Sequence, residues 1–258
     1  MSRQTSRLSG QTALVTGAGV RLGRATALAL AAEGVNIIAH YNSSGAGAAE
    51  TAERAHAAGV EAWTVRADLD DEKAVHTLFE RAVTAAGACH ILINNASIFP
   101  ESRLVDFSQD DLDANVRINA MAPLVVARHF AAQFESSGAL PGGEGAVVNF
   151  LDTRITEYDR NHVAYHLSKR MLHSLTRMMA IEFAPAVRVN AVAPGLILPP
   201  PDKDGAYLDK LARSIPLKRR GGPEDVTDAV LYLVRSPFVT GQVLFVDGGQ
   251  NLNGSVYG

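Results

Sequence analysis

The chain has one cysteine, Cys89, among 258 residues, so it cannot form a disulfide within itself. That suits a reducing compartment, and a cytoplasmic protein is expected. Cys89 precedes the apolar run Ile91-Leu92-Ile93 and reads as a small buried residue. Neither charge predominates: 24 Lys and Arg stand against 27 Asp and Glu, so no nucleic-acid partner is expected. No apolar run approaches the ~20 residues that span a bilayer, so no membrane partner is expected either. Residues 1–10 are polar, lack the apolar centre of a secretory signal, and read as a loose leader. His90, His129, His162, His166 and His173 show no metal-binding spacing with acids, so no catalytic metal is expected. Internal repeats and linkers are also missing.

What remains is a chain that is 47% hydrophobic, enough for one large α/β domain over residues 11–258. Short apolar runs alternate with alanine-rich helical stretches. Strands are expected at 12–16, 35–40, 60–66, 90–93, 146–151, 187–192 and 243–246. Helices are expected at 22–33, 46–58, 71–86, 110–134, 163–183 and 223–234, with Gly34 and Gly59 stopping the first two. Pro123 lies inside the long fourth helix and predicts a bend there. Strands so uniformly apolar are buried on both faces, which implies a parallel sheet covered by helices on both sides. Composition breaks at 137–145, read as a surface loop, and at 199–205. In the second, Pro199-Pro200-Pro201 makes a semi-rigid connection beside the expected ligand crevice.

The first strand runs into Thr16-Gly17-Ala18-Gly19-Val20-Arg21-Leu22-Gly23 and then a helix. Glycines there permit tight turning and close approach of a diphosphate to backbone, and the helix N-terminus supplies free N–H groups. The spacing is one residue longer than G-x-G-x-x-G. At the end of the second strand, an NAD site usually offers an acid to the ribose 2′-hydroxyl. Here the chain reads His40-Tyr41-Asn42-Ser43-Ser44, with no acid to repel a 2′-phosphate and three side chains able to hydrogen-bond to one. The expected cofactor is therefore NADPH. The same residues also read as a polar turn with a serine N-cap.

Tyr165 and Lys169 stand four apart in a helical stretch, hence on one face. A lysine ammonium favours a phenolate, so the spacing predicts a Tyr165 with a lowered pKa that exchanges a proton near neutrality. Asp152 stands 13 residues before the tyrosine.

Taken together, the glycine turn, Asp68-Leu69, Asn94-Asn95-Ala96, Asn119, Tyr165-x-x-x-Lys169, Pro194-Gly195 and Asp247-Gly248-Gly249 resemble the short-chain dehydrogenase/reductase family, over roughly residues 11–253. The resemblance implies a single Rossmann-type domain, doubly wound on seven parallel strands, with the nicotinamide near Tyr165. It implies that Asp68 and Leu69 border the adenine, and Asn95 and Ala96 the adenosine ribose. Lys169 would hold the nicotinamide ribose, and Asn119 would continue a proton path from Lys169 to solvent. Pro194, Gly195 and Leu196 would lie along the nicotinamide, with residues 196–222 as a loop over the substrate. The tail at Asp247 commonly packs in a homotetramer.

Two departures from the general family pattern narrow the resemblance. Arg21 replaces the middle glycine of T-G-x-x-x-G-x-G, and Asp152 replaces the serine that donates to a substrate carbonyl. Both are features of the pteridine reductase branch, as is Asn95-Ala96-Ser97-Ile98-Phe99-Pro100. By that resemblance, Ser97 meets cofactor and substrate, Phe99 stacks on a pterin opposite the nicotinamide, and Arg21 sits near diphosphate and pterin. An ionised Asp152 accepts rather than donates and suits an N–H-rich ring. Thr153 is a second candidate for the serine's role. Singly, Phe99 reads as core, Arg21 as a solvated first-turn residue and Asp152 as a loop aspartate.

Three functions follow. The first is NADPH-dependent reduction of a dihydropterin or dihydrofolate at its ring C=N. The second is carbonyl or 3-oxoacyl reduction. The third is dinucleotide binding without turnover.

Overall fold

The computed structural model describes residues 8–137, 144–156, 160–200 and 203–252. Seven parallel strands form one sheet in the order β3-β2-β1-β4-β5-β6-β7. They are β1 (Thr12–Val15), β2 (Asn36–Tyr41), β3 (Ala62–Arg66), β4 (Ile91–Asn94), β5 (Gly145–Phe150), β6 (Val187–Pro194) and β7 (Val243–Val246). Every residue of β1, β4 and β5 is buried, which is why no polar alternation marks them in the sequence. Alternate residues serve opposite cores. Ala13, Val15, Ile37, Ile91 and Ile93 pack in one cluster with Ala27, Leu30 and Val230. Leu14, Ile38, Leu92 and Val147 pack in the other with Leu78, Val126, Phe130 and Met179. Chain order reverses direction between β1 and β4, so a crevice opens at the C-terminal strand ends there.

Eight helices cover the sheet among the described residues. They are α1 (Arg21–Ala32), α2 (Gly45–Ala57), α3 (Glu72–Ala86), α4 (Gln109–Val116), α5 (Ala122–Ser137), α6 (Val163–Glu182), α7 (Gly205–Ala212) and α8 (Pro223–Arg235). The long helix expected at 110–134 is two helices joined by a π-helical turn at Arg117–Met121. Pro123 explains it. Proline has no N–H for the Asn119 carbonyl, and its ring crowds that carbonyl, so the disturbance falls one turn before it. α7 had no counterpart among the expected helices; Asp204 caps it by accepting from Tyr207 N–H at 3.2 Å. Of the leader, residues 1–7 lie outside the described residues. Leu8 is buried in the core, and Gly10 N–H donates to Gly34 O at 2.9 Å, so the described end of the leader packs. Most of the loop expected at 137–145 also lies outside them. No described helix is long and apolar enough to cross a membrane.

Candidate active site

The residues singled out in the sequence converge at the C-terminal ends of the strands. The Thr16 hydroxyl accepts from Asn95 N–H at 3.0 Å and Ala96 N–H at 3.1 Å, fixing the chain after β4 against the glycine turn. Asn95 Nδ2 donates back to Thr16 O at 2.9 Å. Gly17 has φ +67°, in the left-handed region. A Cβ on Gly23 would lie 2.1 Å from Gly17 O, and one on Gly19 would lie 2.6 Å from Ser44 Oγ. The turn is thus a bare backbone cradle at the start of a helix, and a dinucleotide diphosphate fits it. Gly23→Ala is expected to weaken NADPH binding about 5–150-fold, since overpacking at a rigid contact costs ~1–3 kcal/mol. A fluorescence titration with NADPH checks this.

Tyr41 ends β2, and Asn42, Ser43 and Ser44 lead into α2. A cation that the sequence reading missed lies beside them. Arg24, in the first turn of α1, donates to Gly19 O at 2.7 Å and Gly47 O at 3.2 Å, and pairs with Glu50 at 2.9 Å. It staples the glycine turn to the start of α2. Asp68 accepts from Asp70 N–H at 3.0 Å, and the adjoining Leu69 is buried. Across the crevice, Gly195 N–H donates to Val246 O at 3.0 Å, which places Pro194, Gly195 and Leu196 beside the end of β7.

The catalytic candidates form one cluster on α6, the end of β5 and the π-helical turn. Tyr165 Oη donates to Asp152 Oδ2 at 3.0 Å. Arg154 N–H donates to the other carboxylate oxygen, Oδ1, at 2.8 Å. Lys169, 3% exposed, donates from Nζ to Phe150 O at 2.7 Å and lies 5.6 Å from the Tyr165 ring centroid. The expected lowering of the Tyr165 pKa is not what this arrangement gives. Burial, then the Asp152 charge and the hydrogen bond to it, hold the phenol well above its ordinary 10. Spacing on a helix says who is adjacent; it does not say that a carboxylate is closer than the ammonium. Tyr165 is therefore a neutral O–H donor. Burial pulls Lys169 from 10.5 down to about 8.

That last shift carries a prediction. The folded protein binds the Lys169 proton less tightly than the unfolded chain, so charge burial destabilises the fold below pH 8 and the penalty is relieved as pH rises from 8 toward 10.5. Its size is of the order of 3 kcal/mol. Removing the ammonium also orphans Phe150 O, at ~1–3 kcal/mol. Lys169→Met should therefore stabilise the cofactor-free protein by about 1–2 kcal/mol at pH 7, with the gain shrinking above pH 8. Urea denaturation of both proteins across that range checks it.

Asn119, fully buried in the π-helical turn, accepts from Ile98 N–H at 2.9 Å and donates to Ile98 O at 3.0 Å and Ser168 Oγ at 3.1 Å. Its side chain clamps the segment that carries Ser97 and Phe99. Phe99 is 48% exposed, so it is not core. Its ring meets Tyr165 edge-on at 4.5 Å and stacks on His162 at 3.9 Å, a neighbour not anticipated from the sequence. Arg21 has φ +52°, where glycine is favoured and another residue bears about 1–2 kcal/mol. Its guanidinium donates to Leu198 O at 3.3 Å, joining the glycine turn to the segment after β6. The Thr153 hydroxyl donates to Asp247 Oδ2, so it is committed elsewhere. Asp247 stays below its ordinary pKa: burial opposes this, but bonds from Thr153, Asn251 and Gly249 outweigh it. Among the described residues no group of metal ligands occurs.

A family model described as enoyl-(acyl carrier protein) reductase matches residues 17–251. The chain belongs to the short-chain dehydrogenase/reductase family. It is an oxidoreductase, and the family's cofactor, NADP(H), is the dinucleotide for its glycine cradle. Pteridine reductase 1 of Leishmania tarentolae is 31% identical over 96% of this chain and 99% of its own. L-xylulose reductase of Mesocricetus auratus is 34% identical over 94% of this chain and 97% of its own. The crystal structure of FolM alternative dihydrofolate reductase 1 from Brucella canis, complexed with NADP, superposes with a TM-score of 0.88, at 29% identity, covering 96% of this chain and 97% of that one. Within the family frame Arg24, His40, Ser102 and His162 are residues that the sequence reading did not place in the site. A histidine in the apolar strand Asn36–Tyr41, next to its last residue, was the one available signal. Ser102 Oγ accepts from Ala164 N–H at 3.1 Å, tying the Phe99 segment to α6.

Proposed function

We propose that this reductase transfers hydride from NADPH to the ring C=N of a dihydropterin, or of dihydrofolate, to give the tetrahydro form. The observation that carries the reading is the Tyr165–Asp152 bond at 3.0 Å. A carbonyl reductase needs a neutral donor at the place of Asp152. A carboxylate there accepts, which suits the amino group and ring N–H of a pterin. Bound NADPH supplies the hydride. Tyr165 holds the proton at Oη, Asp152 orients it, and Lys169 holds the nicotinamide ribose. Asn119 fixes the segment that presents Phe99 and Ser97, and Arg21 closes the crevice from the glycine turn.

Two relatives support the reading, the Leishmania pteridine reductase and the Brucella FolM structure. Carbonyl reduction is the second reading, and the L-xylulose reductase favours it. Against it stand Asp152 and a Thr153 hydroxyl already given to Asp247. NADPH carrying deuterium at the transferred position should deliver it to the ring carbon of a dihydropterin, read by mass spectrometry. Deuterium recovered only in an alcohol made from a ketone would contradict the reading. Phe99→Ala should raise KM for the dihydropterin about 2–10-fold, as loss of ~0.5–1.5 kcal/mol of stacking implies, with a smaller change in kcat. Unchanged KM would remove Phe99 from the substrate site.

A homotetramer is part of the same proposal. Leu167, Met171, Met178 and Ile181 leave an apolar stripe exposed along α6, a face suited to a second copy. Light scattering on the purified protein reads the mass directly. The expected compartment is the cytoplasm.

A further inference from the structure

β2 lies between β1 and β3, and at its C-terminal end the backbone ladder runs out on both sides. The last bonds there are Ala18 N–H to His40 O at 2.9 Å and Ala67 N–H to Tyr41 O at 3.0 Å. Gly17 N–H on one side and Ala67 C=O on the other remain to be satisfied. The His40 imidazole, 1% exposed, serves both: Nδ1 lies 3.2 Å from Gly17 N and Nε2 lies 3.1 Å from Ala67 O. A carbonyl only accepts, so Nε2 carries the proton. A backbone N–H only donates, so Nδ1 is bare. The two contacts fix one neutral tautomer, and each is consistent with the other.

The two groups joined in this way belong to different parts of the cofactor site. Gly17 opens the diphosphate cradle, and its carbonyl is the atom on which a Gly23 Cβ would fall. Ala67 adjoins Asp68 and Leu69, which the family resemblance sets at the adenine. We propose that His40 is a positioning residue for NADP(H), holding the diphosphate turn and the adenine wall in one frame through its Nε2–H tautomer. A protonated ring would turn an Nδ1–H against Gly17 N–H, two donors face to face. Burial keeps the ring neutral, pulling its pKa from 6.5 to about 4; the bond to Ala67 O opposes this, Arg81 on α3 acts in the same direction as burial, and Asp68 opposes it. The role therefore holds through the whole range in which an ordinary histidine titrates.

The test compares His40→Leu and His40→Gln with the wild-type protein by NADPH titration and thermal melting. Leucine fills space but neither donates nor accepts; glutamine does both. Leucine is expected to weaken NADPH binding about tenfold or more, and glutamine to recover most of the loss. A leucine variant that melts lower but binds NADPH as tightly as the wild type would overturn the proposal and leave His40 a packing residue. ¹⁵N-resolved NMR of the wild-type protein tests it without any variant, whether or not the leucine protein folds. The expected spectrum shows a His40 ring protonated on Nε2 and unchanged between about pH 5 and 8. A ring that titrates near its ordinary value, or that carries its proton on Nδ1, would overturn it.

Discussion

Tyr165→Phe is expected to lower turnover by about 10²–10⁴-fold, the range for loss of a positioned proton donor. The substitution removes one oxygen and keeps the ring. The edge contact with Phe99 at 4.5 Å survives, and so does the packing of α6. NADPH affinity should change far less than turnover. In the proposed mechanism the phenol is the donor; burial and Asp152 hold its pKa well above 10, so it stays protonated wherever the enzyme works. The alkaline limb of the wild-type profile therefore belongs to another group. Lys169 is cationic below about pH 8 and neutral above, so turnover should fall as pH rises through 8, while Tyr165 is still protonated. Stopped-flow NADPH oxidation over pH 6–10 separates the two. A mutant within about threefold of wild type would remove Tyr165 from the proton path.

Asp152→Ser is the second large effect. It exchanges an ionised acceptor for a neutral hydroxyl that donates. A hydrogen bond to a charged group contributes ~1.5–3 kcal/mol, so dihydropterin kcat/KM should fall about 10–100-fold. Reduction of an acetoacetyl thioester should rise in the same protein, because a donor then faces the carbonyl oxygen. The fold is expected to tolerate the change. Asp152 is partly exposed and caps the short 3₁₀ turn Thr153–Ile155, and serine caps as well as aspartate does. Unchanged pterin reduction would show that the carboxylate does not touch the substrate.

The middle of the sheet was legible because β1, β4 and β5 are buried on both faces, which leaves apolar runs such as Ile91-Leu92-Ile93; the edge strands β3 and β7 are partly exposed, against the expectation of uniform burial. The glycine cradle was legible for a related reason. Positions such as Gly23, where a Cβ would strike backbone, admit glycine alone. Adjacency on α6 was readable from spacing, but the electrostatic balance was not. The direction of the Tyr165 shift depends on burial and on a carboxylate brought in from the end of β5. Contacts between distant segments escaped for the same reason. Arg24 supports the β2–α2 turn from inside α1, and Thr153 meets Asp247 from the end of another strand. α7 is only eight residues long, too short for the spacing of Leu208 and Ala212 to mark it, and its start depends on the Asp204 cap after a proline-rich stretch. The bend near Pro123 was expected, but its form was not; the π-helical turn brings Asn119 onto Ile98.

The most direct measurement is NADPH oxidation by the purified protein with a dihydropterin in one cuvette and an acetoacetyl thioester in another. A pterin reductase of this design should show a kcat/KM for the dihydropterin that exceeds the thioester's by at least about a hundredfold, the discrimination expected when a site's polar groups are left unpaired by the wrong substrate. Turnover of the thioester alone would contradict the proposed function, and would require a carbonyl reductase that works with an aspartate in the place of its hydroxyl donor.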